Sequence, residues 1–176
     1  IDLTGNSLAN ELTGGFGNNG LFGMGGNDTL NGWVGSDWIE GGDGDDVIMV
    51  GNKAGHDTYI GGEGSDTLDF YYEFDGGITF DLTWGGPVPF FGGYGGAIGS
   101  LTWSGIENVL GTEGDDTIYG DDGDNRLGGG AGHDTLYGRA GDDRLEGGAG
   151  FATMDGGADN DTLVGTYEYS VYGFDV

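Results

Sequence analysis

Along this chain an apolar residue returns every nine positions. Aligning on Asp gives GMGGNDTLN (23–31), GWVGSDWIE (32–40), GGDGDDVIM (41–49) and, after the two-residue insertion Val50-Gly51, NKAGHDTYI (52–60) and GGEGSDTLD (61–69). Two weaker copies precede these, GNSLANELT (5–13) and GGFGNNGLF (14–22), in which Asn10 and Asn19 stand where the others have Asp. A second array covers 111–164 as GTEGDDTIY, GDDGDNRLG, GGAGHDTLY, GRAGDDRLE, GGAGFATMD and GGADNDTLV. The eighth position is apolar in all 13 copies, from Leu12 and Leu21 to Met154 and Leu163. Thirteen copies at one spacing mark a repeat architecture.

Each nonapeptide is a Gly-rich turn of six residues followed by three residues whose middle one is apolar. Neighbours on a strand point to opposite faces, so this pattern predicts a very short strand with one inward side chain. Glycine supplies the positive φ angles that turn the chain back. Two nonapeptides then make one 18-residue coil of a flattened right-handed spiral, with two parallel sheets face to face over a thin aliphatic core. The turns fall alternately on its two edges. The expected fold is all-β, a parallel β-solenoid forming one domain over 1–176.

Composition adds a constraint. The chain carries 31 acidic residues against 4 basic ones, a net charge of -27, and 45 of its 176 residues are Gly. Like charges oppose compaction, and Gly loses the most backbone entropy on folding, so a cation must neutralise the carboxylates. Nucleic acid and anionic membrane are excluded as partners for want of a basic face, since only Lys53, Arg126, Arg139 and Arg144 are available. Cys is absent, which rules out disulfides and thiolate sites and leaves hard, oxygen-liganded metals. No apolar run is long enough to insert in a membrane. The first residue is Ile1 with no signal-like segment after it, so a mature chain or an excised fragment is expected.

The nonapeptide resembles the GGxGxDxUx repeat of the RTX (repeats-in-toxin) family over most of the chain. The resemblance implies a parallel β-roll with calcium ions between turns stacked along each edge, held by position-six carboxylates and loop carbonyls. Calcium takes six to eight oxygens and tolerates such mixed shells. It further implies a bacterial protein secreted unfolded by the type I route and folded by calcium outside the cell. Because turns k and k+2 share an edge, position six pairs as Asn10, Asp28, Asp46 and Asp66 on one edge and Asn19, Asp37 and Asp57 on the other. In the second array the edges carry Asp116, Asp134 and Ala152, and Asn125, Asp143 and Asp161. Nine inter-turn sites result. Ala152 offers no oxygen and the Asn sites lose a charge each, so roughly six to nine calcium ions are expected.

The segment 70–110 breaks the period. It holds 10 of the 22 aromatic residues and both prolines. GITFDLT (77–83) and LTWSGIENVL (101–110) read as strands that continue the roll without calcium turns, with the stretch from Trp84 to Ser100 looping over one face. Trp84, Phe90, Phe91 and Tyr94 on that Gly-rich excursion either cover themselves or form a contact for a glycan or partner. The tail 165–176 alternates Tyr167, Tyr169 and Val171, and each apolar end either folds back as a cap or pairs end to end with another copy.

Catalysis finds little support. There is no HExxH or GxSxG, and His56 and His133 both precede a position-six Asp as turn residues. The expected function is a non-catalytic, secreted calcium-binding roll, a structural or self-assembling component of the cell exterior such as a filament, surface layer or matrix. The alternatives are a non-catalytic module of a larger secreted enzyme or adhesin that binds polysaccharide through the aromatic loop, and a bare secretion and folding aid.

Overall fold

The structure is a computed structural model that describes residues 1–50, 55–70, 76–85, 87–92, 96–165 and 168–171, with the backbone path alone in 89–92, 96–98 and 168–171. In chain order the strands are β1 (Asp2–Thr4), β2 (Glu11–Phe16), β3 (Gly20–Gly25), β4 (Thr29–Val34), β5 (Trp38–Asp43), β6 (Val47–Met49), β7 (Gly55–Glu63), β8 (Thr67–Asp69), β9 (Thr79–Asp81), β10 (Val88–Gly92), β11 (Gly96–Ser104), β12 (Asn108–Leu110), β13 (Thr117–Tyr119), β14 (Arg126–Gly128), β15 (Ala131–Arg139), β16 (Arg144–Glu146), β17 (Ala149–Gly157), β18 (Thr162–Val164) and β19 (Glu168–Val171). They fall into two compact units, one of Ile1–Asp69 with Trp84–Ile106 and one of Phe70–Thr83 with Glu107–Val176. The chain is an all-β parallel solenoid.

In the first unit alternate strands share a sheet, in the order β1-β3-β5-β7-β11-β10, while β2, β4, β6 and β8 follow one another in a second sheet. The second unit repeats the scheme with β9-β13-β15-β17-β19 and with β12, β14, β16 and β18. Position eight sets the register. Leu21 pairs with Ile39 and Ile39 with Tyr59, Leu30 with Ile48 and Ile48 with Leu68. Ile118, Leu136 and Met154 form the matching ladder of the second unit, as do Leu127, Leu145 and Leu163. These side chains are fully buried in the middle repeats, while Leu12 and Leu163 in the first and last copies are half-buried. Each buried one contributes about 1.5–3 kcal/mol, one such term per nine residues that must be ordered.

Several first-array strands run to six residues rather than three, because pairing continues into the turn, as with Met24 opposite Gly42 and Gly25 opposite Asp43. The two strands read from the aperiodic segment do join the roll. Within the second unit β9 lies parallel to β13 with Phe80 opposite Ile118, and the Phe80 ring meets Phe70 at 5.1 Å. Within the first, β11 lies parallel to β7 with buried Trp103 opposite Tyr59.

The stretch from Trp84 to Ser100 differs from its expected path over a face. Its β10 runs antiparallel to β11, Val88 opposite Leu101 and Phe90 opposite Gly99, as a hairpin at the sheet edge. Such pairing satisfies backbone groups that an open edge leaves bare. Trp84 is 43% exposed. The side chains of Phe90 and Phe91, and Tyr94 altogether, lie outside the described residues, as does Tyr167 in the tail. Tyr169 and Val171 belong to β19, whose backbone runs parallel to β17 as a further rung, opposite Ala152 and Met154. Among the described residues no helix is long and apolar enough to cross a membrane.

Arg139 fastens β9 to its unit. Its guanidinium donates to both carboxylate oxygens of Asp81, at 2.9 and 2.7 Å, and lies 5.5 Å from the centre of the Tyr119 ring, which stacks on Tyr137 at 4.8 Å. Burial pushes the Asp81 carboxyl up, but hydrogen bonds from Arg139 and Thr83 outweigh it and hold the group below the usual range. Arg139→Ala leaves Asp81 buried beside a missing partner and is expected to lower stability by about 1–3 kcal/mol. Denaturant melts in saturating calcium read the loss, and Arg139→Lys recovers only part because a point charge replaces a two-pronged donor.

Candidate metal centre

The position-six residues form a ladder along each edge. In eight pairs the Oδ1 atom of the later residue accepts the backbone N–H of the position-six residue one coil earlier. Asn10 donates to Asp28 at 2.6 Å, Asp28 to Asp46 at 2.7 Å and Asp46 to Asp66 at 2.8 Å. On the other edge Asn19 donates to Asp37 and Asp37 to Asp57, both at 2.9 Å. In the second unit Asp116 donates to Asp134 at 3.0 Å, Asn125 to Asp143 at 2.8 Å and Asp143 to Asp161 at 3.0 Å. The rung offset is 18 residues, and 20 across the Val50-Gly51 insertion. These eight contacts are the pairs read from the period. The ninth, Asp134 to Ala152, has no side-chain oxygen to complete it, although the backbones stay in register.

The other carboxylate oxygen carries the chemistry. Oδ2 of Asp28, Asp46, Asp134 and Asp143 is buried without a hydrogen-bond partner. A buried unpaired ionised oxygen costs several kcal/mol unless a proton or cation meets it. A second oxygen stands nearby. A Cβ placed on Gly23 would fall on both Asp28 Oδ2 and the Gly41 carbonyl, one on Gly41 on Asp46 Oδ2 and the Gly61 carbonyl, and one on Gly138 on Asp143 Oδ2 and the Gly156 carbonyl. These three positions therefore exclude any side chain, and two oxygens with no hydrogen between them converge at each. Among the described residues no three carboxylate or imidazole side chains gather at one point, so a cation here takes a shell of carboxylate and backbone carbonyl oxygens. That donor set suits a large, hard ion with loose geometry, calcium rather than magnesium.

Family comparison agrees with this chemistry. The RTX calcium-binding nonapeptide repeat matches residues 4–39, 34–52, 53–69, 104–136, 129–154 and 137–166. The chain belongs to the RTX calcium-binding nonapeptide repeat family. Comparison with curated proteins finds no match. As an RTX β-roll the chain binds calcium, and Asp28, Asp46 and Asp143 with their facing glycine carbonyls could hold it.

The Asn copies of the RTX repeat close differently. Oδ1 of Asn10, Asn19 and Asn125 accepts the position-two N–H of its own turn, from Asn6 and Gly15 at 2.7 Å and from Asp121 at 2.8 Å. An amide thus satisfies these turns without a cation. Asp116 is also saturated, by Ile78 N–H at 2.6 Å and by Thr112 through N–H and Oγ. Neither Ile78 nor Thr112 follows from the period.

A second ladder escaped the sequence reading. Position-five side chains accept the N–H of the position-five residue one coil later. Ser36 donates to Asn18 at 3.1 Å, Asp45 to Asn27 at 3.2 Å, His56 to Ser36 at 2.9 Å, His133 to Asp115 at 2.8 Å and Asp142 to Asp124 at 2.8 Å. It runs opposite to the position-six ladder, so each turn is gripped from both sides. Its signal is a polar residue at position five, interrupted at Ala9 and at Phe151, whose ring packs on His133 at 5.1 Å.

Burial away from water pushes the carboxyls of Asp57, Asp134 and Asp143 up to about 6, and raises those of Asp37, Asp46 and Asp116. Between about pH 4 and 6 the calcium-free fold binds more protons than the unfolded chain, so its stability falls as pH rises through that window. Protons and calcium compete for the same oxygens. Calcium affinity is expected to be weaker at pH 5 than at pH 7.5, with protons released on binding near pH 6. Calorimetry in two buffers of different ionisation enthalpy measures both, and equal affinity at the two pH values would contradict the assignment.

Proposed function

We propose that this chain is a secreted bacterial calcium-folded roll without catalytic activity, serving as a structural, self-assembling component of the cell exterior. The observation that carries the reading is the set of buried, unpartnered carboxylate oxygens at Asp28, Asp46, Asp134 and Asp143. A chain with such groups folds where calcium is abundant and stays open where it is scarce, which suits passage out of a calcium-poor cytosol. A structural role is supported by the commitment of the repeat carboxylates to turn ladders, and of His56 and His133 to turn positions that bond the neighbouring coil. Roughly six to nine calcium ions remain the expected load.

Sedimentation of the purified chain over a range of concentrations, in calcium and in chelator, tests the assembly. The structural reading expects large species in calcium alone. A compact monomer at every concentration would shift the reading to a second one, a polysaccharide-binding module of a larger secreted protein, which the exposed Trp84 favours.

A further inference from the structure

Among the described residues three repeats carry a large side chain at position two, in a backbone conformation that favours glycine: Met24 (φ 83), Trp33 (φ 73) and Arg139 (φ 88). Left-handed non-glycine residues are strained, and such strain collects at functional sites. Arg139 has a return within the fold, its bond to Asp81. Trp33 packs on Phe16, with ring centres 5.3 Å apart and planes at 59°, yet Trp33 is 43% exposed and Phe16 83% exposed. The conformation is built in, because Asn31 Oδ1 accepts the Trp33 N–H at 3.0 Å and Gly17 N–H donates to the Val34 carbonyl at 2.7 Å. Two stacked turns on one edge of the first unit therefore hold an aromatic pair open to water.

The surrounding groups select the occupant. Positions one to five of these turns, 14–18 and 32–36, contain no charged residue. The opposite edge of the same unit exposes Asp43, Asp45 and Glu63. A cationic partner would favour that acidic edge, and a second copy would set its net charge of -27 against the equal charge of the first. What the uncharged stretch offers, besides the rings, is an amide and a hydroxyl. Asn18 accepts the Ser36 N–H through Oδ1, which leaves its NH2 to donate, and Ser36 Oγ accepts the His56 N–H, which leaves its O–H. A pyranose has an apolar C–H face for an aromatic ring and hydroxyls for such donors.

We propose that Phe16, Trp33, Asn18 and Ser36 form a subsite for a neutral sugar unit of an extracellular polysaccharide. The site goes beyond calcium-driven folding and is separate from Trp84, which precedes the β10–β11 hairpin. Its strained tryptophan is a contact residue kept against the repeat's preference for glycine.

Affinity electrophoresis in calcium, through gels containing laminarin, dextran, hydroxyethylcellulose or anionic alginate, tests it. At least one neutral polymer is expected to retard the chain and alginate is not. Trp33→Gly and Phe16→Ala are each expected to weaken that retardation at least about tenfold, and Trp84→Ala to leave it unchanged. Because Trp33→Gly restores the residue the turn prefers, its melting temperature in calcium stays level or rises, so lost binding cannot be ascribed to lost structure. Retardation by no neutral polymer, retardation by alginate alone, or retardation indifferent to Trp33→Gly would each overturn the assignment. Circular dichroism on the same samples separates this from failure of the calcium fold, which would show as a chain without β signal in calcium.

Discussion

Chelating calcium at pH 7.5 is expected to convert the chain from a β-rich fold to a disordered coil, with the β signal in circular dichroism lost and the hydrodynamic radius increased. The size of the effect follows from what remains once the cation is gone. A net charge of -27 is confined to 176 residues, of which 35% are hydrophobic, and the core is one side chain per repeat. The ladder brings the like-charged position-six groups together and buries them, with Oδ2 of Asp28, Asp46, Asp134 and Asp143 unpaired. Domains of ordinary size are stable by only about 5–15 kcal/mol, and several unpaired buried carboxylates at a few kcal/mol each consume that margin. Monovalent salt is not expected to rescue the fold, because screening acts on exposed charges and not on buried oxygens. Retention of the full β signal in excess chelator at pH 7.5 would refute the account.

The second large effect is local. Asp46 sits mid-ladder, where its Oδ1 accepts the Asp28 N–H and its own N–H reaches Asp66. Its fully buried carboxylate also supplies the oxygen facing the Gly61 carbonyl. Asp46→Ala removes a cation ligand and strands the Asp28 N–H, for an expected loss of about 3–5 kcal/mol in saturating calcium, the range for breaking a buried ionic contact by deleting one side. Asn10→Ala at the first rung is expected to lose only about 1 kcal/mol, since Asn10 Oδ1 bonds its own turn through the Asn6 N–H. Urea melts at fixed free calcium compare the two. Equal losses would mean that the ladder does not hold cations at its middle rungs.

Both predictions rest on features the sequence exposes unequally. Position six is Asp or Asn in 12 of the 13 copies and position eight is apolar in all of them, so their register follows from the period alone. Leu30 opposite Ile48 and the empty place at Ala152 were legible before any coordinates. Contacts made once have no period to betray them. Arg139 meets Asp81 across 58 residues, and Ile78 serves Asp116 across 38. The pairing of β10 with β11 was hidden for another reason: a short aromatic stretch among glycines lacks the alternation that distinguishes a strand from a loop. Position five carries no distinct signal for a ladder, because short polar residues in a turn satisfy local bonding and long ladders equally well.

In both ladders the side chain of one turn is read by the backbone of a neighbouring coil, the preceding one at position six and the following one at position five. Asp28 is served by the amide of Asn10, Asp46 by that of Asp28, and Asp116 by that of Ile78, an apolar residue outside the repeats. Along position six, what a turn offers its follower is a backbone amide, independent of its own side chain, and the insertion at Val50-Gly51 leaves the rungs that span it intact. Such turns behave as interchangeable words. A gene encoding them can lengthen or shorten by unequal recombination, one nonapeptide at a time, without a compensating change in the neighbours.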